Sequence, residues 1–147
     1  MFKRLLLPTD GSELSMNAVK AAVALAAEMR AEVVALNVQP VFQPPVVAEV
    51  PIADVYSQED YEAGALAAAN RILADTAAVA AAAGVVCKSV ARLDASPYEA
   101  IISIAKDEGC DLIFMASHGR RGMAHLLLGS ETQKVLTHCR IPVLVYR

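Results

Sequence analysis

The chain has 147 residues and a mass of 15.5 kDa, 56% of them apolar, with 13 Lys and Arg against 16 Asp and Glu for a formal net charge of −3. That length suits one domain with its own core, the apolar runs fall far short of the roughly 20 residues of a bilayer-spanning helix, and the charge balance lacks the basic excess of a nucleic-acid binder. Cys87, Cys110 and Cys139 form no C-x-x-C pair, so neither a disulfide framework nor a zinc site is indicated, and they read as small core residues.

The opening "MFKRLLLPTDGS" has an apolar run too short for a secretory signal, so a cytoplasmic location is expected. Residues 2–7 read as a first strand that ends at Pro8-Thr9-Asp10-Gly11-Ser12. Beyond it, Leu14, Ala18, Ala21, Leu25 and Met29 recur on one helical face, with Ser12 or Asp10 as the cap. Residues 32–38, "EVVALNV", are rich in the β-branched residues that suit a strand covered on both faces. Gln39 to Tyr56 carries four prolines, which forbid a continuous helix or central strand. A segment of this length acts as a lid or partner-facing element, or is disordered.

Ser57-x-x-Asp60 is a capping box that opens an alanine-rich helix to about Ala83, stopped by Gly84. Residues 85–91 read as a third strand. "SPYE" then supplies a cap serine, an N1 proline and an N3 glutamate for a third helix running to Gly109. "CDLIFMAS" starts a fourth strand, Ser130-x-x-Gln133 caps a fourth helix with Thr132, Val135, Leu136 and Cys139 on one side, and residues 141–146 close the chain as a fifth strand. Strict alternation of strand and helix predicts a three-layer, mostly parallel sheet, because such crossovers are right-handed. Ligands of these sheets sit beyond the strand C-termini, where strand order reverses. Two loops are more elaborate than a bare connection needs: residues 8–12, and residues 116–130.

The second loop lies within "MASHGRRGMAHLLLGS", with glycines at 119, 122 and 129 and the cations Arg120 and Arg121. Glycine lets the main chain approach an anion closely, and a helix N-terminus presents unpaired N–H groups with a partial positive charge. Each amide bond to a charged oxygen contributes roughly 1.5–3 kcal/mol, so a few of them with a base pocket reach the ~8 kcal/mol of micromolar binding. Neither a Walker A motif nor a G-x-G-x-x-G fingerprint is present.

The spacing Gly119-x9-Gly129-Ser130, preceded by "ASH" and followed by "IPVLVY", resembles the nucleotide loop of the universal stress protein family, G-x2-G-x9-G-[ST]. The resemblance extends over the whole chain, from "LLLPTDGS" to the last strand. It implies an α/β fold: a single domain over residues 1–147, a doubly wound three-layer sandwich of the adenine nucleotide alpha hydrolase-like kind, with a five-stranded parallel sheet in the order 3-2-1-4-5. It implies a regulatory protein of the stress response that binds ATP at the ends of strands 1 and 4, with any Mg²⁺ arriving on the phosphates. The implied nucleotide site comprises Pro8, Thr9, Asp10, Val38, Met115, Ala116, His118, Gly119, Arg120, Gly129, Ser130 and Glu131. Asp10 corresponds to the ribose-binding aspartate, the Val38 backbone to the adenine contact, and Gly119, Gly129, Ser130 and the Glu131 amide to the phosphate cradle. Ala116 stands where the pattern has its first glycine, and Asn37 where a histidine is common. The family also implies a homodimer through the terminal strand, Pro142 to Tyr146.

Read from the residues alone, Asp10 is either a ligand group or a helix-opening cap. His118, Ser117 and Asp10 make a poor catalytic triad, since neighbours on a strand point to opposite sides and no nucleophile elbow is present. His125 and His138 lack metal-ligand spacing. ATP hydrolysis would need an assigned base and charge neutralisation that the sequence does not supply, so the expectation is a binder rather than an enzyme. The competing reading is a homodimeric interaction module with a vestigial site. A KH-type RNA loop at "GRRG" is disfavoured, because such a loop joins two helices and this one follows a strand.

Overall fold

The structure, a computed structural model, describes residues 1–44, 46–47, 50–51, 57–119 and 128–147. Five parallel strands form the sheet: β1 (Arg4–Pro8), β2 (Glu32–Gln39), β3 (Cys87–Leu93), β4 (Leu112–Ala116) and β5 (Val143–Tyr146), side by side in the order β3-β2-β1-β4-β5. Four helices connect them: α1 (Glu13–Met29), α2 (Gln58–Ala82), α3 (Pro97–Asp107) and α4 (Ser130–His138). A separate two-residue antiparallel ladder, Val46–Val47 with Val50–Pro51, lies inside the proline-rich segment; the remainder of that segment from Pro45 is outside the described residues.

The handedness of the crossovers sorts the helices. From β1 the chain steps outward through β2 to β3 by way of α1 and α2, then returns across the sheet to β4 and β5 by way of α3 and α4. Right-handed connections in opposite directions put the two pairs on opposite faces. On one face Leu5, Leu7, Val33 and Phe114 pack against Ala18, Val19, Ala22, Val23 and Ala26 of α1 and Ala80 of α2. On the other, Leu6, Val34, Leu36, Ile113 and Met115 pack against Ile101, Ile104 and Ala105 of α3 and Val135 of α4. Alternation along each strand feeds both cores, which is why β1 and β4 read as unbroken apolar runs.

Several local expectations shift. The most buried stripe of α1 is Ser15, Ala18, Val19, Ala22, Val23 and Ala26, with Leu14, Ala21, Leu25 and Met29 flanking it partly buried; small side chains let the helix lie close to the sheet. That helix is capped by Ser12, whose hydroxyl accepts from Ser15 N at 3.3 Å, and it stops at Arg30 in the left-handed region (φ 55°) without a glycine. Strand ends follow the ladder rather than hydrophobicity. Asp111, for example, accepts from the backbone N–H of Lys3 and Arg4, so it closes the edge just before β4 begins.

Ser96 makes no side-chain cap bond; its own N–H donates to Asp94 Oδ1 at 2.9 Å, and Glu99 bonds the Tyr98 hydroxyl instead of completing a box. In α4 the cap is Gly129, not Ser130, which sits inside the first turn, and the Gln133 side chain donates to Leu128 O. Leu136 is 42% exposed, whereas Thr132 and Val135 are buried. Helix α2, at 25 residues, is long and apolar enough by composition alone to cross a membrane. Its hydropathy is that of an alanine-rich helix, and Ala69, Leu73, Thr76 and Ala80 are buried in the fold.

Candidate functional site

The sheet opens at one place. β1 pairs with β2 from Arg4 to Pro8, and β4 pairs with β5 from Ile113 to Ala116, but β1 and β4 register only Leu5 with Leu112 and Leu6 with Ile113. The cause is legible in the bonds around β1. Odd residues face β2, since Lys3 O accepts from Glu32 N and Thr9 N donates to Leu36 O; even residues face β4, since Arg4 O accepts from Asp111 N. Pro8 is therefore on the β4 side, where its missing N–H ends the ladder. The C-terminal halves of β1 and β4 part there, and the parting lies at the reversal of strand order where ligands of open α/β sheets bind.

The turn after β1 is fastened from below. Asn37, 1% exposed, donates from Nδ2 to Thr9 O at 2.8 Å and accepts from Gln39 Nε2 at 2.7 Å. The Ser15 hydroxyl donates to Thr9 Oγ1 at 2.7 Å and accepts from Asp10 N at 3.3 Å, and Thr9 Oγ1 also accepts from Gly11 N. Asp10 Oδ1 accepts from Ser12 N at 3.0 Å, an Asx turn that aims the carboxylate. Asp10 thus does helix-opening work while its other oxygen faces Gly119: a Cβ built on Gly119 would collide with Oδ2.

The far wall is tied just as closely. Ser117 N donates to Tyr146 O at 2.7 Å, Gly129 N donates to Ser117 O at 2.7 Å, and the buried Thr132 hydroxyl donates to Ala116 O at 3.1 Å. A Cβ on Gly129 would stand 3.1 Å from His118 Cα and 3.2 Å from Ser117 O, both backbone. Gly129 is needed for this approach, not for an unusual φ, which is −58°. Its own N–H is committed to Ser117, and as a glycine it has no side chain to cap α4, whose first-turn N–H groups at Ser130 and Glu131 lie beyond the reach of the helix's own carbonyls.

The sequence-predicted residues divide accordingly. Asp10 meets Gly119, and Gly129 meets His118; Pro8 and Ala116 end β1 and β4, Thr9 follows Pro8, and Ser130 and Glu131 open α4. Met115 lies under α3 and α4 in the apolar core, and Val38 packs at the edge of that same core. The Ala116 methyl belongs to the opposite cluster, under α1 with Leu7 and Phe114. Arg120, Arg121, Gly122 and His125 lie outside the described residues.

Ser117 and His118 correct the expectation that neighbours point apart: because β4 ends at Ala116, Ser117 Oγ and His118 Nδ1 lie 3.2 Å apart. Ser117 is only 6% exposed and its backbone is held on both sides, so the contact braces the loop. Sequence reasoning missed the bracing roles of Asn37, Ser15 and Thr132, whose only signal is polarity inside apolar runs. Among the described residues no group of three or more His, Cys, Asp or Glu is placed to hold a metal ion.

Comparison with known proteins agrees with this geometry. A family model described as the universal stress protein family matches residues 1–147. A universal stress protein of Thermus aquaticus is 32% identical over 147 residues, covering all of both chains. Among solved structures, that of the protein MJ0577 superposes with a TM-score of 0.81 at 29% identity, covering 99% of this chain and 96% of that one. A universal stress protein solved in complex with cAMP superposes with a TM-score of 0.71 at 26% identity, covering 99% of this chain and 97% of that one. With the strand order, the loop spacing and a match over its full length in agreement, this chain belongs to the universal stress protein family.

Proposed function

We propose that the chain is a stress-response regulatory protein, acting in the cytoplasm as a single domain, that binds ATP in the parting between β1 and β4 without catalysing its hydrolysis. The observation that carries this reading is the termination of the β1–β4 ladder at Leu6 and Ile113, beyond which Asp10 meets Gly119 and Gly129 opens α4 against Ser117 and His118. Asp10 would bond the ribose, the Val38 backbone the adenine, and the Ser130 and Glu131 amides the phosphates, where helix-end polarity favours negative charge. The placement of the Ala116 methyl in the α1 core supports a sugar position left open despite the missing first glycine. Any Mg²⁺ would come coordinated by the phosphates. The family member crystallised with cAMP lends weight to an adenine nucleotide.

Isothermal calorimetry with ATP against the wild type and a Gly129→Arg variant, each checked for native circular dichroism, tests the assignment. Heat of binding to the wild type alone is expected; a flat wild-type titration would leave the vestigial-site reading in its place. Both readings share the homodimer, which has its own supporting feature. β5 pairs with β4 on one side only among the described residues, and its Leu144 is 37% exposed. A second copy would cover such an edge. A homodimer through residues 142–146 predicts that Leu144→Lys lowers the sedimenting mass to that of one chain.

A further inference from the structure

The first turn of α3 lacks the cap its sequence advertises, since the Ser96 side chain makes no cap bond. The acceptor comes from another helix: Tyr98 N, in that first turn, donates to Glu131 Oε2 at 2.8 Å. Glu131 lies in the first turn of α4, and its Oε1 is held by Lys134 Nζ at 2.9 Å. Lys134 in turn sits 5.5 Å from the centre of the Tyr98 ring. One residue therefore sits in the first turn of α4 and gives its carboxylate to the neighbouring helix.

From this geometry we infer that Glu131 couples phosphate occupancy of the crevice to the order of the α3 N-terminus; the inference rests on the nucleotide reading above. Phosphates seated on the α4 amides bring negative charge within one side chain's length of a carboxylate that draws on the same helix-end polarity. Repulsion loosens the Glu131 carboxylate from Tyr98 N, and the first turn of α3 frays because, among the described residues, the Ser96 side chain makes no cap bond in its place. Glu131 is about one-third exposed and paired with Lys134, so the repulsion is that of a partly screened pair. Coupling of this kind is reciprocal: whatever phosphates do to the α3 cap, the cap does to phosphate affinity.

Amide exchange followed by NMR, together with calorimetry on the full chain, tests it. In the wild type, ATP is expected to speed exchange of the Tyr98 amide by about 1.5- to 5-fold, the range for exposed charge pairs. Glu131→Gln keeps an acceptor for Tyr98 N but removes the charge, so the ATP response should vanish and ATP should bind tighter by the same factor. Glu131→Val removes the acceptor, so Tyr98 should exchange fast with or without ATP. If ATP binds the wild type while Tyr98 exchange stays constant, or if Glu131→Gln leaves affinity unchanged, the coupling is overturned and the nucleotide site stands. An absence of ATP binding to the wild type overturns both.

Discussion

Replacing Asn37 isolates the bond that seats Asp10. The Asn37 side chain is 1% exposed, and its Nδ2 gives Thr9 O, in a residue itself 6% exposed, a hydrogen bond of 2.8 Å. Asn37→Ala deprives a buried carbonyl of its partner, a loss of about 1–3 kcal/mol, and leaves a small void beside Gln39 that adds to it. A total near 3 kcal/mol, at about 2–4 °C per kcal/mol for a chain of this size, lowers the melting temperature by about 6–12 °C.

Asn37→Asp separates hydrogen bonding from packing, because shape is kept while the donor becomes a buried carboxylate facing a carbonyl. At neutral pH it should cost at least as much as the alanine. Burial raises the folded-state pKa of the introduced carboxyl above its unfolded value near 4. Its destabilisation relative to wild type therefore grows as pH rises through the folded pKa and shrinks on acidification, when the protonated group again donates to Thr9 O. Urea denaturation of all three proteins from pH 4.5 to 7.5 reads this directly. An alanine cost below about 0.5 kcal/mol, or an aspartate cost that is flat with pH, would refute the reasoning.

Thr132→Val removes the hydroxyl that reaches Ala116 O at 3.1 Å; a loss of about 1–2 kcal/mol in urea denaturation is expected, and an unchanged midpoint would show that α4 is not tied to β4 this way. The two loop glycines should behave oppositely. Gly129→Ala presses on the Ser117–His118 backbone, which cannot yield cheaply, so stability falls by about 1–3 kcal/mol. Gly119→Ala meets first the Asp10 carboxylate end, a side chain that can rotate, so stability is nearly kept while ATP affinity in calorimetry drops. Equal stability losses would contradict that distinction. Burial pushes the Cys110 thiol up to about 11, above its ordinary 9.0, so its stabilising contribution is whole below that ordinary value and lost as pH climbs towards 11. Urea midpoints measured between pH 8 and 10.5 should fall more steeply for the wild type than for Cys110→Ala, and parallel slopes would rule out this contribution.

The two loops were legible before any coordinates, because each signal is local, and the family resemblance supplied the strand order that pairs them. Ser12 and Ser57 are followed by helical periodicity, Gly84 ends a helix at φ 70°, and the Gly119-x9-Gly129-Ser130 spacing falls directly after an apolar strand. Even the placement of α1 and α2 opposite α3 and α4 follows from alternation and handedness once the strand order is given. Caps were the weaker part. The serines before α3 and α4 look like those before α1 and α2, yet α3 takes its acceptor from Glu131, 33 positions away, and α4 takes glycine because the chain must press against Ser117.

By itself, then, the sequence determined the βα alternation, the two elaborate loops and the family likeness, all of which depend on neighbours along the chain. Only the tertiary structure decided that Pro8 faces β4 rather than β2, that Asn37 points at Thr9 O, and that Glu131 serves two helices. Each of those depends on strand register and helix placement. A one-residue slip would turn Pro8 toward β2 without altering a single letter of the chain.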